Sequence, residues 1–161
     1  MNSIPTYTRM VETVINYKQL SPNLATGGQP DRDQLSQLAE TGYEVVINLG
    51  LEDAEYAIPN EQAILEAQGI RYIHIPVKFE APAIAQYREF SKILKALLPK
   101  KVFIHCAANK RVSVFMALFR ILDQNIPHEQ AMAELTSCWQ PDATWHGFIT
   151  RVLSEAGTAP E

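Results

Sequence analysis

The stretch His105-Cys-Ala-Ala-Asn-Lys-Arg-Val-Ser113 holds the densest run of chemically able residues in the chain. It joins one apolar run, Lys101-Val-Phe-Ile-His105, to another, Val112 to Leu122, that is apolar on every side. A loop passing directly from a strand into a helix turns successive backbone N–H groups and the helix N-terminus toward one point, which makes an anion cradle. Cys106 stands at the mouth of that cradle. The same field favours thiolate over thiol and gives a nucleophile at neutral pH. Ala107, Ala108, Asn109 and Lys110 supply the cradle's backbone, and Arg111 adds a planar fork of donors that can grip two oxyanion oxygens at once. A cysteine at a strand end is most often plain core. The histidine before it, the small residues after it, the basic pair and the apolar helix beyond favour the chemical reading.

Helices alternating with short apolar strands position this loop. Leu24 to Pro30 reads as a strand and turn, with Asp31 as N-cap of a helix that Gly42 ends. Tyr43 to Leu49 is a β-branched run of strand length. Pro59 and Asn60 open a helix to about Gln68, Arg71 to Ile75 is the next strand, and a helix runs from about Ile84 to Leu98. After Lys101 to His105 and the buried helix, two more helices follow, about Pro127 to Ser137 and Ala143 to Ser154. Crossover helices between strands imply an α/β fold with a mostly parallel central sheet flanked by helices on both faces. Ligands then sit at the C-terminal strand ends, in the loops after Leu49, Ile75 and His105.

With 161 residues, 47% hydrophobic and 20% charged, the chain suits a single domain, residues 1–161 with a core at about 18–155. Two cysteines make no disulfide framework and are read as thiols of a reducing compartment. The first nine residues lack a secretory apolar region, no apolar stretch is long enough for a membrane span, and a cytoplasmic location is expected. Gly157 to Glu161 reads as a fraying tail. A net charge of −4 argues against a nucleic-acid partner. Seven basic and no acidic residues lie between Ser91 and Leu122, which predicts a positive field around the cysteine loop. His74, His105, His128 and His146 show no metal-ligand spacing, and Gly27-Gly28 lacks the context of a dinucleotide fingerprint.

The cysteine segment resembles the phosphate-binding loop of cysteine-dependent tyrosine and dual-specificity phosphatases, whose pattern is His-Cys, five residues, Arg, then Ser or Thr. The chain upstream is similar to a small bacterial subgroup of that superfamily: Gly28-Gln29-Pro30, then Gly42 to Leu49, then Tyr72-Ile-His-Ile-Pro76. The resemblance implies a phosphatase that works through a phosphocysteine on Cys106, with Ala107 to Arg111 as cradle and Arg111 as phosphate clamp. It implies that His105 orders the loop and Ser113 stabilises the departing thiolate, with no metal and no cofactor. The partner implied is a phosphorylated substrate or another oxyanion.

The spacing departs from the pattern, with four residues between Cys106 and Arg111 where the phosphatases have five. Either the loop is one residue shorter, or Ser113 keeps its place and Val112 occupies the arginine's. On a helix one residue turns a side chain by about 100 degrees, so the two arrangements aim Arg111 differently. Asn109 stands where the family has a loop glycine, and Asn tolerates a left-handed backbone. The shorter count is that of rhodanese-like sulfurtransferases, which form a persulfide on the cysteine, and a non-catalytic anion-binding module is a third reading. A phosphatase needs a general acid. The family places an Asp on the loop matching Pro76 to Pro82, and Glu80 is the carboxyl found there. Glu52, Asp53, Glu55 and Asp142 are further candidates. Trp139-Gln-Pro-Asp142 echoes the family's acid loop but falls after the cysteine, so Trp139 and Trp145 read as core or rim aromatics. Cys138 is a candidate disulfide partner for an oxidised Cys106. The physiological substrate and the oligomeric state are not written in the sequence.

Overall fold

Short β-branched segments and the helices between them build a five-stranded sheet in a computed structural model that describes residues 10–157. Residues 1–9, where the reading about a leader falls, and most of the expected frayed tail lie outside the described residues. The strands are β1 (Lys18–Ser21), β2 (Leu24–Gly27), β3 (Val45–Asn48), β4 (Arg71–His74) and β5 (Val102–His105), in the order β1-β2-β5-β3-β4. β2, β5, β3 and β4 are parallel, and β1 adds an antiparallel edge.

Alternation along the central strands feeds two cores. Val45, Ile47, Val102 and Ile104 face α3 (Ile84–Leu97), α4 (Lys110–Asp123) and α6 (Ala143–Glu155), where Phe90, Phe115, Trp145 and Phe148 pack. Val46 and Phe103 face the opposite way, onto Leu35 of α1 (Arg32–Ser36) and Leu65 of α2 (Glu61–Glu66). α5 (His128–Thr136) packs against α4. Helices therefore cover both faces of the mostly parallel sheet, as the pattern predicted.

Several elements differ from expectation. The helix after Asp31 stops at Ser36 and resumes as a 3-10 turn over Ala39–Thr41, which buries Leu35 and Leu38 together and lets the Tyr43 N–H reach the Leu38 carbonyl at 3.3 Å. The capping box at its start is intact: Asp31 Oδ1 accepts from Gln34 N at 2.8 Å, and Asp31 N donates to Gln34 Oε1 at 2.7 Å. β1 has no sequence signature because an edge strand half-open to solvent needs no apolar alternation. The helix at Pro59 is confined to Glu61–Glu66, and α4 begins at Lys110, so Arg111 lies on the helix itself. Among the described residues no helix is long and apolar enough to cross a membrane.

Register aligns the C-terminal strand ends. Gly27 pairs with His105, His105 with Asn48, and Asn48 with His74. The loops after β3, β4 and β5 consequently emerge side by side.

Candidate active site

The loop between β5 and α4 is held from outside by its carbonyls. His105 Nδ1 lies 3.2 Å from the Cys106 carbonyl, Gln29 N donates to the Ala107 carbonyl at 2.9 Å, and Asn16 Nδ2 donates to the Ala108 carbonyl at 2.9 Å. In a planar trans peptide the next N–H points opposite to its carbonyl. The amides of Ala107 and Ala108 therefore point away from these partners, into the hollow that the loop encloses. α4 starts at Lys110, so its first N–H groups open onto the same end of the helix.

Two backbone positions make the turn possible. Asn109 has φ +67°, the left-handed conformation expected for it. Its buried Nδ2 donates to the Asn16 carbonyl at 2.9 Å and to Thr26 Oγ1 at 3.0 Å, so the amide supplies anchoring that a glycine could not. Beside it, a Cβ on Gly28 would stand 2.5 Å from the Ala107 carbonyl oxygen, so only glycine allows this close approach.

Cys106 is 1% exposed and its N–H reaches the Gly27 carbonyl at 3.4 Å. Arg111, 5% exposed, crosses beneath the neighbouring loops: Nη1 donates to the Val77 carbonyl at 2.7 Å and Nη2 to the Tyr56 hydroxyl at 3.1 Å. The guanidinium also lies 5.8 Å from the Tyr56 ring centre. Val112 is fully buried in the core, so Arg111 is the basic residue turned to the loops that follow β3 and β4. A guanidinium has five N–H donors, and among the described residues two of Arg111's are used.

Other candidates spread out. Lys110 is exposed, with Nζ 5.3 Å from the Trp139 ring centre. Ser113 Oγ donates to the Lys110 carbonyl at 2.7 Å and accepts from Trp139 Nε1 at 3.0 Å, which commits it to α4 and Trp139. Glu80 is exposed on the loop after β4. That loop is fixed at three carbonyls: Pro76 accepts from Gln86 Nε2 at 3.0 Å, Val77 from Arg111, and Phe79 from Trp145 Nε1 at 2.8 Å. The Phe79 ring sits against Trp139 and Trp145, at 5.6 and 5.9 Å between centres. Asp142 caps α6, accepting from Trp145 N at 3.0 Å, and Glu52 accepts from the Tyr72 hydroxyl at 2.8 Å. Asp53 and Glu55 are exposed on the loop after β3.

The predicted positive field is diluted. Lys95 pairs with Asp123 at 3.3 Å, Lys101 lies over the Tyr43 ring just before β5, at the far end of the strand from Cys106, and Arg120 grips Glu134 through two bonds of 2.9 and 2.7 Å. Cys138 packs behind the loop, with Sγ 3.9 and 3.7 Å from the carbonyl oxygens of Ala108 and Asn109. Burial, with a smaller contribution from Cys106, pushes its thiol up, so it stays protonated and weakly nucleophilic at neutral pH. Both cysteines are free thiols. A cavity of about 570 Å³ between α3, α4 and α6 lies at the Asp123 end of α4, away from the loop.

Four residues that sequence reasoning missed complete the arrangement. Glu61, 6% exposed, places Oε2 2.6 Å from Nε2 of the wholly buried His105, and Gln29 Nε2 donates to Glu61 Oε1 at 2.9 Å. Asn16 and Tyr56 hold the loop and the arginine. Only Gln29 carried a signal, inside Gly28-Gln29-Pro30. The others are single polar residues in loops or at a helix start.

Comparison with known proteins places the fold and the family. The family described as DSP-PTPase phosphatase fused to NAD+ kinase matches residues 2–146. "Beta-lactamase hydrolase-like protein" of two Xylella fastidiosa strains is 27% identical over 117 residues, 71% of this chain; the chain spans about a quarter of the length of these relatives (27%). A DUF442 protein of Shewanella putrefaciens CN-32, proposed to be a phosphatase, superposes with a TM-score of 0.81 at 28% identity, covering 91% of this chain and 97% of its own. Tk-PTP shares the fold, with a TM-score of 0.74 at 19% identity over 86% of this chain and 96% of its own. The cysteine loop thus sits in a frame this family shares, and the chain belongs to the DSP-PTPase family, within the cysteine-dependent tyrosine and dual-specificity phosphatase superfamily.

Proposed function

We propose that this chain hydrolyses phosphomonoesters, of a phosphoprotein or a small metabolite, through a phosphocysteine on Cys106. The observation that carries the reading is the outward anchoring of three successive carbonyls, Cys106, Ala107 and Ala108, which supports an inward set of amide donors beside a buried guanidinium. Such donors, fixed before substrate arrives, stabilise charge that grows on the equatorial oxygens in the transition state. In the first step the Cys106 sulfur bonds to phosphorus as the ester P–O bond breaks, and Glu80 gives its proton to the leaving oxygen. In the second, water bonds to phosphorus, its proton passes to Glu80, and the S–P bond breaks to release inorganic phosphate and the thiolate. Ala107 to Lys110 and Arg111 hold the phosphoryl oxygens, while His105 orders the loop. No metal or other cofactor enters these steps.

The reading takes the chain as one domain acting in a bacterial cytoplasm, where free thiols survive. The test is p-nitrophenyl phosphate in one arm and thiosulfate plus cyanide in the other, with Cys106→Ser as control. Phosphate release that vanishes in the variant supports the phosphatase. Thiocyanate formation would instead make the chain a sulfurtransferase, and neither product would leave an anion-binding module.

A further inference from the structure

Behind the loop, Gln29, Glu61 and His105 form a buried chain of hydrogen bonds that ends on the Cys106 carbonyl. The proton count in this chain is constrained. A carbonyl oxygen can only accept, so His105 Nδ1, 3.2 Å from it, carries a hydrogen. Nε2 and Glu61 Oε2 stand 2.6 Å apart, a contact that requires one proton between them. Whichever atom holds that proton, the ring is fixed at both nitrogens. Gln29 fixes the carboxylate in turn through Nε2 to Oε1 at 2.9 Å, and its own backbone N–H holds the next loop carbonyl, Ala107, at 2.9 Å. One residue thus anchors two successive peptide planes of the loop, one directly and one through Glu61 and His105.

From this we infer that Glu61 is a positioning residue for the Cys106 loop. It keeps the His105 ring oriented so that Nδ1–H holds the Cys106 carbonyl outward, and the Ala107 N–H is thereby aimed at the phosphoryl oxygens. The inference rests on the phosphatase reading of the same site. Without Glu61, Nε2 faces a buried gap, and a single 3.2 Å bond is left to hold a ring with no other polar tie. Titratable groups near the pair include Cys106 on the loop, Glu52 and Glu66, which line one pocket with Glu61, and Tyr72 on β4, whose phenol is pushed up by burial and whose hydroxyl donates to Glu52. Phe103 stacks on the ring from the sheet, 6.1 Å between centres.

Two measurements test this. Kinetics with p-nitrophenyl phosphate, run well below each variant's unfolding temperature, compare wild type, Glu61→Ala and Glu61→Gln. A misaimed donor in an oxyanion cradle lowers kcat by about 10- to 100-fold, with a smaller rise in KM. Glu61→Gln restores kcat to within about threefold, because its amide N–H can donate to a bare Nε2 while Nδ1–H stays on the carbonyl. Wild-type kcat in Glu61→Ala, or equal loss in both variants, would overturn the inference. The second measurement needs no variant. In wild type labelled with 15N-histidine, His105 should show a protonated Nδ1 and a far-downfield N–H resonance from the contact with Glu61, and a bare Nδ1 would overturn the inference. These resonances report on the pair even if p-nitrophenyl phosphate is not turned over, so failure of the phosphatase reading is distinguishable from failure of this one.

Discussion

Tyr56 carries one of the two bonds that orient Arg111, and Tyr56→Phe removes that bond while leaving the ring in place. The deleted oxygen accepts from Arg111 Nη2 at 3.1 Å and from Leu51 N at 2.9 Å. A hydrogen bond to a charged donor contributes about 1.5 to 3 kcal/mol and a neutral one about 1 kcal/mol. Leu51 is half-buried and its N–H can turn to water, so the arginine's bond dominates. The expected loss is about 2 kcal/mol, which for a domain of this size lowers Tm by roughly 4 to 8 °C. Anion affinity should change as well. Inorganic phosphate at 100 times its Kd stabilises the wild type by about 2.7 kcal/mol. If the loosened guanidinium weakens binding tenfold, the same concentration is worth only about 1.4 kcal/mol. Calorimetric melts over a phosphate titration therefore read two effects, a lower Tm without phosphate and a phosphate-dependent rise reduced by about half. Equal melting temperatures together with equal phosphate protection would refute the role assigned to Tyr56.

Three further perturbations follow from the same geometry. Gly28→Ala places a methyl group against the Ala107 carbonyl, so the loop must shift; we expect a loss of about 1 to 3 kcal/mol by thermal melting and a drop of tenfold or more in phosphate release. Glu80→Gln should slow esters with poor leaving groups by about 10²-fold and good ones little, and equal slowing across a series of aryl phosphates would remove Glu80 as the acid. Folding raises the Cys138 pKa, so the folded chain keeps a proton that the unfolded chain gives up above the ordinary thiol value. That stabilisation is complete below the unfolded pKa and is lost as pH rises toward the folded one, so denaturant melts should weaken through the alkaline thiol range. Cys138→Ala should flatten that decline, and an unaltered slope would contradict it.

The strands that frame the site were legible because Val45 to Ile47 and Val102 to Ile104 are buried on both faces and so read as unbroken apolar runs. Asp31 announced its helix through a cap that the structure contains. Where that helix ends was not legible: the break after Ser36 arises from tertiary burial of Leu35 and Leu38, which helical spacing alone does not reveal. In the candidate site, Cys106, Asn109 and Arg111 are singled out by local spacing. Glu61 and Tyr56 were not, because their partners are 44 and 55 positions away and nothing near either residue marks it. The basic run between Ser91 and Leu122 misled for a related reason. Charges adjacent in sequence are carried to opposite ends of a strand and along a helix, where Asp123 and Glu134 neutralise two of them.

The segment after β4 is tied at Pro76, Val77 and Phe79 to three different elements, and its phenylalanine packs in a triangle with two indoles. Each of these ties would have to break before the wall could swing. Under the proposed function, a substrate would meet a rim already in its working shape, selected by fit at the entrance instead of by closure around a captured guest, with little of the binding energy spent on moving the protein.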